Sequence, residues 1–433
     1  MKKSWRILLG GMVVFAPGWC WADDGGVFRA LTERTLADNP RVRSAQSALE
    51  AARERLNQAW GGLLPEVGLG LSQGHARSDW QGGANGSEPR QVGLNLSQNV
   101  FNQSAIVALR QAQPYVGAYE KALEAEKQGV FLQVARVALN HLKAREVARL
   151  AHDNRAVTER NLEATRDRFR VGEITRTDVS QASSRLASAE ADLLRAENAV
   201  AVGKAQFEEV VGQPPPPELL VPALEVPLLG ESLEALIREA QQRPDLQAVQ
   251  LRLRVSELNV EQERAGFYPV LGLTSSANRS WRQETPGRMD PVNQVTMTLA
   301  LNVPLYSGGK TTSRVEQARA EHRGQEVEQD RLLRQIAREV EQAQLDYRSV
   351  QAVVRAYEAA EKAASEAKTG IEQEYRVGSR TALDLLVAQN VLFTSQTDLA
   401  KSRFDLILAQ FQMLHAVGRL ELKELSFTKK PSS

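Results

Sequence analysis

Two segments of the chain set a glycine, a hydroxyl and a carboxylate at the same spacing: Val171-Gly-Glu-Ile-Thr-Arg-Thr-Asp178 and Val377-Gly-Ser-Arg-Thr-Ala-Leu-Asp384. This pattern suits a turn between two helices and not the making or breaking of bonds. Gly172 and Gly378 permit the positive φ that ends one helix, and Thr175 and Thr381 can cap the next. Other chemistry is hard to find. Gly309-Lys310-Thr311 lacks the glycine that a phosphate loop needs five residues before its Gly-Lys pair, because Pro304 stands there. His75, His141, His152, His322 and His415 show no metal-ligand spacing. The many Asp and Glu sit amid Lys and Arg, so no pair stands out as an acid and a base. The expectation is a protein with no catalytic residue, cofactor or metal of its own.

What must position those turns is legible in the composition. The 433 residues carry a net charge of +1, 25% charged and only 6% aromatic residues. This balance disfavours a nucleic-acid partner and a dense enzyme core, and the richness in Ala, Gln, Glu, Arg and Leu suits long helices. Lys2, Lys3 and Arg6 precede an apolar run from Ile7 to Ala16, and Cys20-Trp21-Ala22 ends it, which reads as a secretory signal over 1–22. Lipidation of Cys20 is disfavoured by Trp19. Cleavage removes three cations and the only Cys, which takes the net charge of +1 to −2 and leaves no thiol for a disulfide, a nucleophile or a ligand. The rest contains no uncharged apolar run long enough for a helical membrane span, so entry into a membrane requires a β-barrel.

The chain reads as two copies of one unit. Asn39-Pro40 matches Arg243-Pro244, and Leu64-Pro65 matches Tyr268-Pro269, 204 residues on; the Arg-Val-Gly turns, Asp178 with Asp384, and Gly212 with Gly418 match 206 residues on. The expected units are a first repeat over 23–213, a Pro-rich linker over 214–231, a second repeat over 232–421 and a tail over 422–433. Each repeat begins with a helix, about Val27 to Ala59 and Ser232 to Ala265. A pair of alternating strands follows, carrying Val67, Leu69 and Leu71 with Val92, Leu94 and Leu96, and Leu271 and Leu273 with Val295 to Val303. Polar loops over Ser78–Arg90 and Ser280–Asn293 join the strands of each pair. Long helices then span about Ser104–Arg170 and Arg314–Arg376, roughly 90–100 Å each, and return helices span Thr177–Val211 and Thr381–Val417. Pro114 suggests a kink or a later start of the first long helix.

Four amphipathic strands cannot close a barrel in lipid, whereas three chains supply twelve. The strand count therefore suggests a cyclic trimer. The long helices, too polar for lipid, would continue the tube into water.

Leu63-Leu-Pro-Glu-Val-Gly-Leu-Gly70, Leu305-Tyr-Ser-Gly-Gly309 and Tyr375-Arg-Val-Gly-Ser-Arg-Thr-Ala-Leu-Asp-Leu-Leu386 resemble the TolC family of outer-membrane efflux and type I secretion channels. The resemblance covers both repeats. It implies a mainly α fold with a small transmembrane β part, in a homotrimer whose 12-stranded outer-membrane barrel continues into a periplasmic α-helical barrel. Its implied partners are a periplasmic adaptor and an inner-membrane pump of ABC or RND type, and its cargo small toxic compounds or secreted polypeptides. By the same resemblance, Val171, Gly172, Thr175, Val377, Gly378, Ser379 and Thr381 form adaptor-contact turns. Tyr375 and Arg380 bond to Thr177 and Asp178 to hold the tip shut, and Asp384 forms an acidic ring whose carboxylates raise one another's pKa. A second acidic position is Val387 here, which speaks against a double ring. The rival reading is a secreted coiled-coil structural or adhesive protein, which leaves the period-two hairpins without a purpose.

Overall fold

The computed structural model describes residues 26–80, 83–87, 89–221, 232–285 and 288–420. The signal and the C-terminal tail expected at 1–22 and 422–433, and most of the linker, lie outside them. The elements run α1 (Gly26–Asp38), α2 (Pro40–Gly61), β1 (Glu66–Gln73), β2 (Ala76–Trp80), β3 (Gly83–Ser87), β4 (Arg90–Asn102), α3 (Gln103–Arg170) and α4 (Arg176–Val211). The second half repeats the order with α5 (Leu233–Ala240), α6 (Pro244–Arg264), β5 (Val270–Thr285), β6 (Arg288–Asn302), α7 (Lys310–Arg376) and α8 (Ala382–Val417).

Three details depart from the sequence expectation. The single helices expected at Val27–Ala59 and Ser232–Ala265 are each broken in two, because Pro40 and Pro244 lack an N–H and sit at the first position of a new helix. The expected loop at Ser280–Asn293 is largely strand, since β5 and β6 stay paired from Val270↔Asn302 to Thr285↔Arg288, while the loop at Ser78–Arg90 holds a small hairpin of β2 and β3. Ladder pairing there prevails over polar composition. Finally, α3 starts at Gln103, capped by the Asn102 side chain at 3.3 Å, and runs through Pro114, so the later start does not occur. Packing of α3 on α6, including Gln111 Nε2 to the Val255 carbonyl at 3.0 Å, carries the helix past that proline.

The main sheet has the order β1-β4-β5-β6, all antiparallel, with the hairpins of the two repeats side by side. Its register puts Leu69, Leu94, Ala277 and Val295 in one row and Gly68, Asn95, Ser276 and Thr296 in the next. Successive rows point to opposite faces, so one face is apolar and the other small and polar. The apolar face is bare in the single chain: Leu71 is 73% exposed and Val295 79%. No helix among the described residues is long and apolar enough to cross a membrane.

The hydrophobic core lies midway along the helices. Phe28 of α1, Phe131 of α3 and Phe411 of α8 meet with ring centroids 6.0–6.3 Å apart, and Leu236, Ile336 and Val340 join them from the second repeat. Two related pins lock this level. Asn39 Nδ2 donates to the Val210 carbonyl at 3.3 Å, and Arg243 Nη1 donates to the Ala416 carbonyl at 3.3 Å, so the residue before each proline ties the short helix to the end of a return helix.

Candidate gate at the helical tip

The far end of the molecule is built from two turns of the same design. The α3 helix ends as Gly172 (φ 78°) donates its N–H to Phe169 and Glu173 donates to Arg168, each at 3.0 Å; α7 ends the same way at Gly378 (φ 80°), with Ser379 donating to Glu374 at 2.9 Å. These bonds satisfy carbonyls that a helix end leaves open, and only glycine takes the left-handed φ without strain. The return helices start with capping boxes. The Asp178 N–H donates to Thr175 Oγ1 at 3.4 Å while Asp178 Oδ2 accepts from the Thr175 N–H at 2.9 Å; the Thr381–Asp384 pair matches at 3.2 and 3.0 Å. Both Thr residues expected to cap do so. The chain stays tightly folded at the turn while Val171 and Val377 project outward, at 71% and 80% exposure.

The bonds from Tyr375 and Arg380 to Thr177 and Asp178 do not form within the single chain. Arg380 Nε donates instead to Glu374 Oε2 at 2.8 Å, an ion pair that draws the second turn onto its own helix. Tyr375 meets the first repeat through its ring, over which the Arg168 guanidinium sits 4.4 Å from the centroid. Asp178 is already engaged in its own cap, so reaching it from Tyr375 or Arg380 requires a different arrangement or another copy of the chain. Within the single chain, Asp384 is held below the usual aspartate value, first by the Thr381 backbone N–H, then by the Thr381 hydroxyl and the charge of Arg380.

Two of the residues that organise this end, Arg168 and Glu374, were not singled out from the sequence. Glu374 lies six residues before Arg380, outside the three- and four-residue spacings that advertise a helical pair. Arg168 reaches Tyr375 only because the fold lays α3 beside the second repeat. Slightly deeper, Leu162, Ala182 and Leu386 form a small apolar cluster, and Asn161 Nδ2 donates to Gln389 Oε1 at 2.5 Å. No group of three or more metal-ligating side chains occurs among the described residues.

Comparison with known proteins places the geometry. The model of a family described as outer membrane efflux protein matches residues 31–213 and 236–419, one stretch for each repeat. The outer membrane protein TolC of Vibrio cholerae is 27% identical over 98% of this chain and 97% of its own length. The alkaline protease secretion protein AprF of Pseudomonas aeruginosa is 26% identical over 90% of this chain and 84% of its own. Among solved structures, the Campylobacter jejuni CmeC outer membrane channel superposes with a TM-score of 0.80 at 16% identity, covering 90% of this chain and 85% of that one, a likeness of fold.

Proposed function

The chain belongs to the outer membrane efflux protein family and is an outer-membrane channel protein, and from that premise we propose that it is the exit duct of a tripartite export system. Three copies close a twelve-stranded barrel, and their long helices continue it through the periplasm toward a periplasmic adaptor and an inner-membrane ABC or RND-type pump. The channel does no chemistry; the pump supplies the energy, and the cargo is a small toxic compound or a secreted polypeptide.

The observation that carries this reading is the open sheet. Its outer strands, β1 and β6, are the two edges of a four-stranded sheet with one apolar face, and in lipid such edges must be paired. Pairing β6 of one copy with β1 of the next satisfies both edges and keeps the apolar face outward. Helices of 68 and 67 residues, about 100 Å at 1.5 Å per residue, suit a span across an aqueous compartment. A secreted coiled-coil adhesin has no use for such a sheet.

At the tip, the turns of Val171, Gly172 and Thr175 and of Val377, Gly378, Ser379 and Thr381 offer the adaptor two outward loops of one shape. Thr177, Asp178, Tyr375 and Arg380 act as the gate, and three Asp384 carboxylates ring the neck. The test is reconstitution: the purified protein should be a trimer in detergent and conduct in planar bilayers with cation preference, which Asp384→Asn lowers. A monodisperse monomer with its β-structure intact overturns the duct, and unchanged selectivity in the variant overturns the ring.

A further inference from the structure

The strands carry few charges, and their placement is uneven. Over residues 66–73, 90–102, 270–281 and 291–302 the charged side chains are Glu66, Arg90 and Arg279. Glu66 lies at the helical end of the sheet and on its polar face, one residue before Val67. Both arginines lie at the opposite end and on the apolar face. The register fixes this: Arg279 stands opposite Val92 and Arg90 opposite Trp281, in step with the row of Leu94 and Ala277. Arg90 and Arg279 are thus diagonal neighbours on adjacent strands, about 7–8 Å apart at their Cα atoms, and both are exposed. The Arg279 guanidinium turns away from the apolar rows. It lies 5.3 Å from the centroid of the Trp281 ring, two residues farther from the helices.

The level of this group is informative. Leu271 and Trp281 share a face of β5 and lie ten residues apart, about 33 Å of strand, which a barrel tilt of about 40° turns into about 25 Å of height. That is the height of the apolar band of an outer-membrane barrel, so Trp281 and the two arginines stand where acyl chains give way to head groups. The helices leave the sheet from its Val270 and Asn302 end, which puts the arginines in the outer leaflet. A tryptophan alone here is an interfacial anchor, and a lone arginine can snorkel into water. Two forked donors side by side are different, because together they can hold one phosphate by several charge-assisted hydrogen bonds. The strand residues of this face supply no carboxylate that would repel an anion there.

We propose that Arg279 and Arg90, with Trp281 beside them, bind the phosphate of an anionic outer-leaflet lipid, one site for each copy around the barrel. This rests on the barrel reading given above. The guanidiniums take the phosphate oxygens, and the Trp281 ring holds the Arg279 fork in place. A lipid suits the site better than free phosphate, because the same face continues directly into Val92, Leu71 and Leu94, an apolar bed for acyl chains.

Native mass spectrometry of the detergent-solubilised trimer reads the site, with lipid A, phosphatidylcholine and inorganic phosphate as probes. Lipid A, which joins phosphates to acyl chains, should be retained at one per copy. Neither phosphatidylcholine nor inorganic phosphate at the same concentration should displace it. Arg279→Gln and Arg90→Gln should each weaken lipid A binding about tenfold, the factor for one charge-assisted hydrogen bond of ordinary strength, while trimer and bilayer conductance persist. Arg279→Lys, which keeps the charge and loses the fork, should fall between. An intact trimer whose double Gln variant holds lipid A as the wild type does overturns the site. Displacement by inorganic phosphate overturns the lipid as its occupant. A wild type that is a monomer with its β-structure intact overturns the barrel reading instead, whatever it binds.

Discussion

At the scale of single residues, the tip separates two roles that one side chain could combine. Tyr375 offers its ring to Arg168 within the chain, while the hydroxyl is the group that the proposed gate uses. Tyr375→Phe keeps the ring and removes the hydroxyl; Tyr375→Leu removes both. If the hydroxyl holds the tip shut, Tyr375→Phe alone should raise conductance without adaptor and admit large antibiotics to cells, because removing a bond that exists only in the closed state shifts the population toward the open one. If the ring contact is what matters, the Phe variant behaves as wild type and only the Leu variant leaks. Asp384 adds a pH signature. Its pKa is depressed by its cap, so it stays ionised above the ordinary aspartate range and below it, until pH falls through the lowered value. Cation selectivity, followed as reversal potential against pH, should therefore survive mild acid and be lost only below the usual carboxylate range; loss near neutral pH would mean that crowding of the three carboxylates outweighs the cap.

At the scale of elements, the two repeats solve one problem with different chemistry. Asn39 and Arg243 occupy matching places before a proline, and each donates to the end of a return helix. Asn39 is neutral. Arg243 is buried and also pairs with Asp245 at 2.6 Å and Glu339 at 2.8 Å. Removing a buried cation leaves its carboxylates uncompensated, so Arg243→Ala should destabilise by about 3 kcal/mol or more, against about 1 kcal/mol for Asn39→Ala. Denaturant unfolding of the two variants measures the difference, and equal midpoints would show that the second pin carries no more than a hydrogen bond.

At the scale of the whole molecule, the two faces of the sheet should answer differently to charge. Leu299 lies on the apolar face, opposite Leu273, and Thr298 on the polar face, opposite Thr274. A lipid-facing arginine near the bilayer midplane costs about 2–4 kcal/mol, a lumen-facing one far less. Leu299→Arg should accordingly deplete trimer from the outer membrane, with the cost repeated in every copy, while Thr298→Arg should assemble and lower cation conductance. Quantifying trimer in membrane fractions decides the matter, and the reverse ranking would turn the barrel inside out.

Much of this architecture was legible before any coordinates. The period-two strands around Leu69, Leu94 and Leu299, the long helices ending at Gly172 and Gly378, and the duplication that aligns Pro40 with Pro244 depend on local periodicity and backbone rules, which a sequence displays directly. The caps of Thr175 and Thr381 were legible for the same reason, since donor and acceptor lie three residues apart. Helix breaks at Pro40 and Pro244 were present in the same rules, but long apolar patterning on either side masked them. What required the tertiary structure are the contacts between distant helices: Arg168 over Tyr375 and Asn161 with Gln389 across the repeats, and Arg243 against the end of α8 within the second. Those partners lie 173 to 228 residues apart, and no periodicity records which faces of two long, similar helices will meet, because that is settled only when the core at Phe28, Phe131 and Phe411 closes and fixes their rotation.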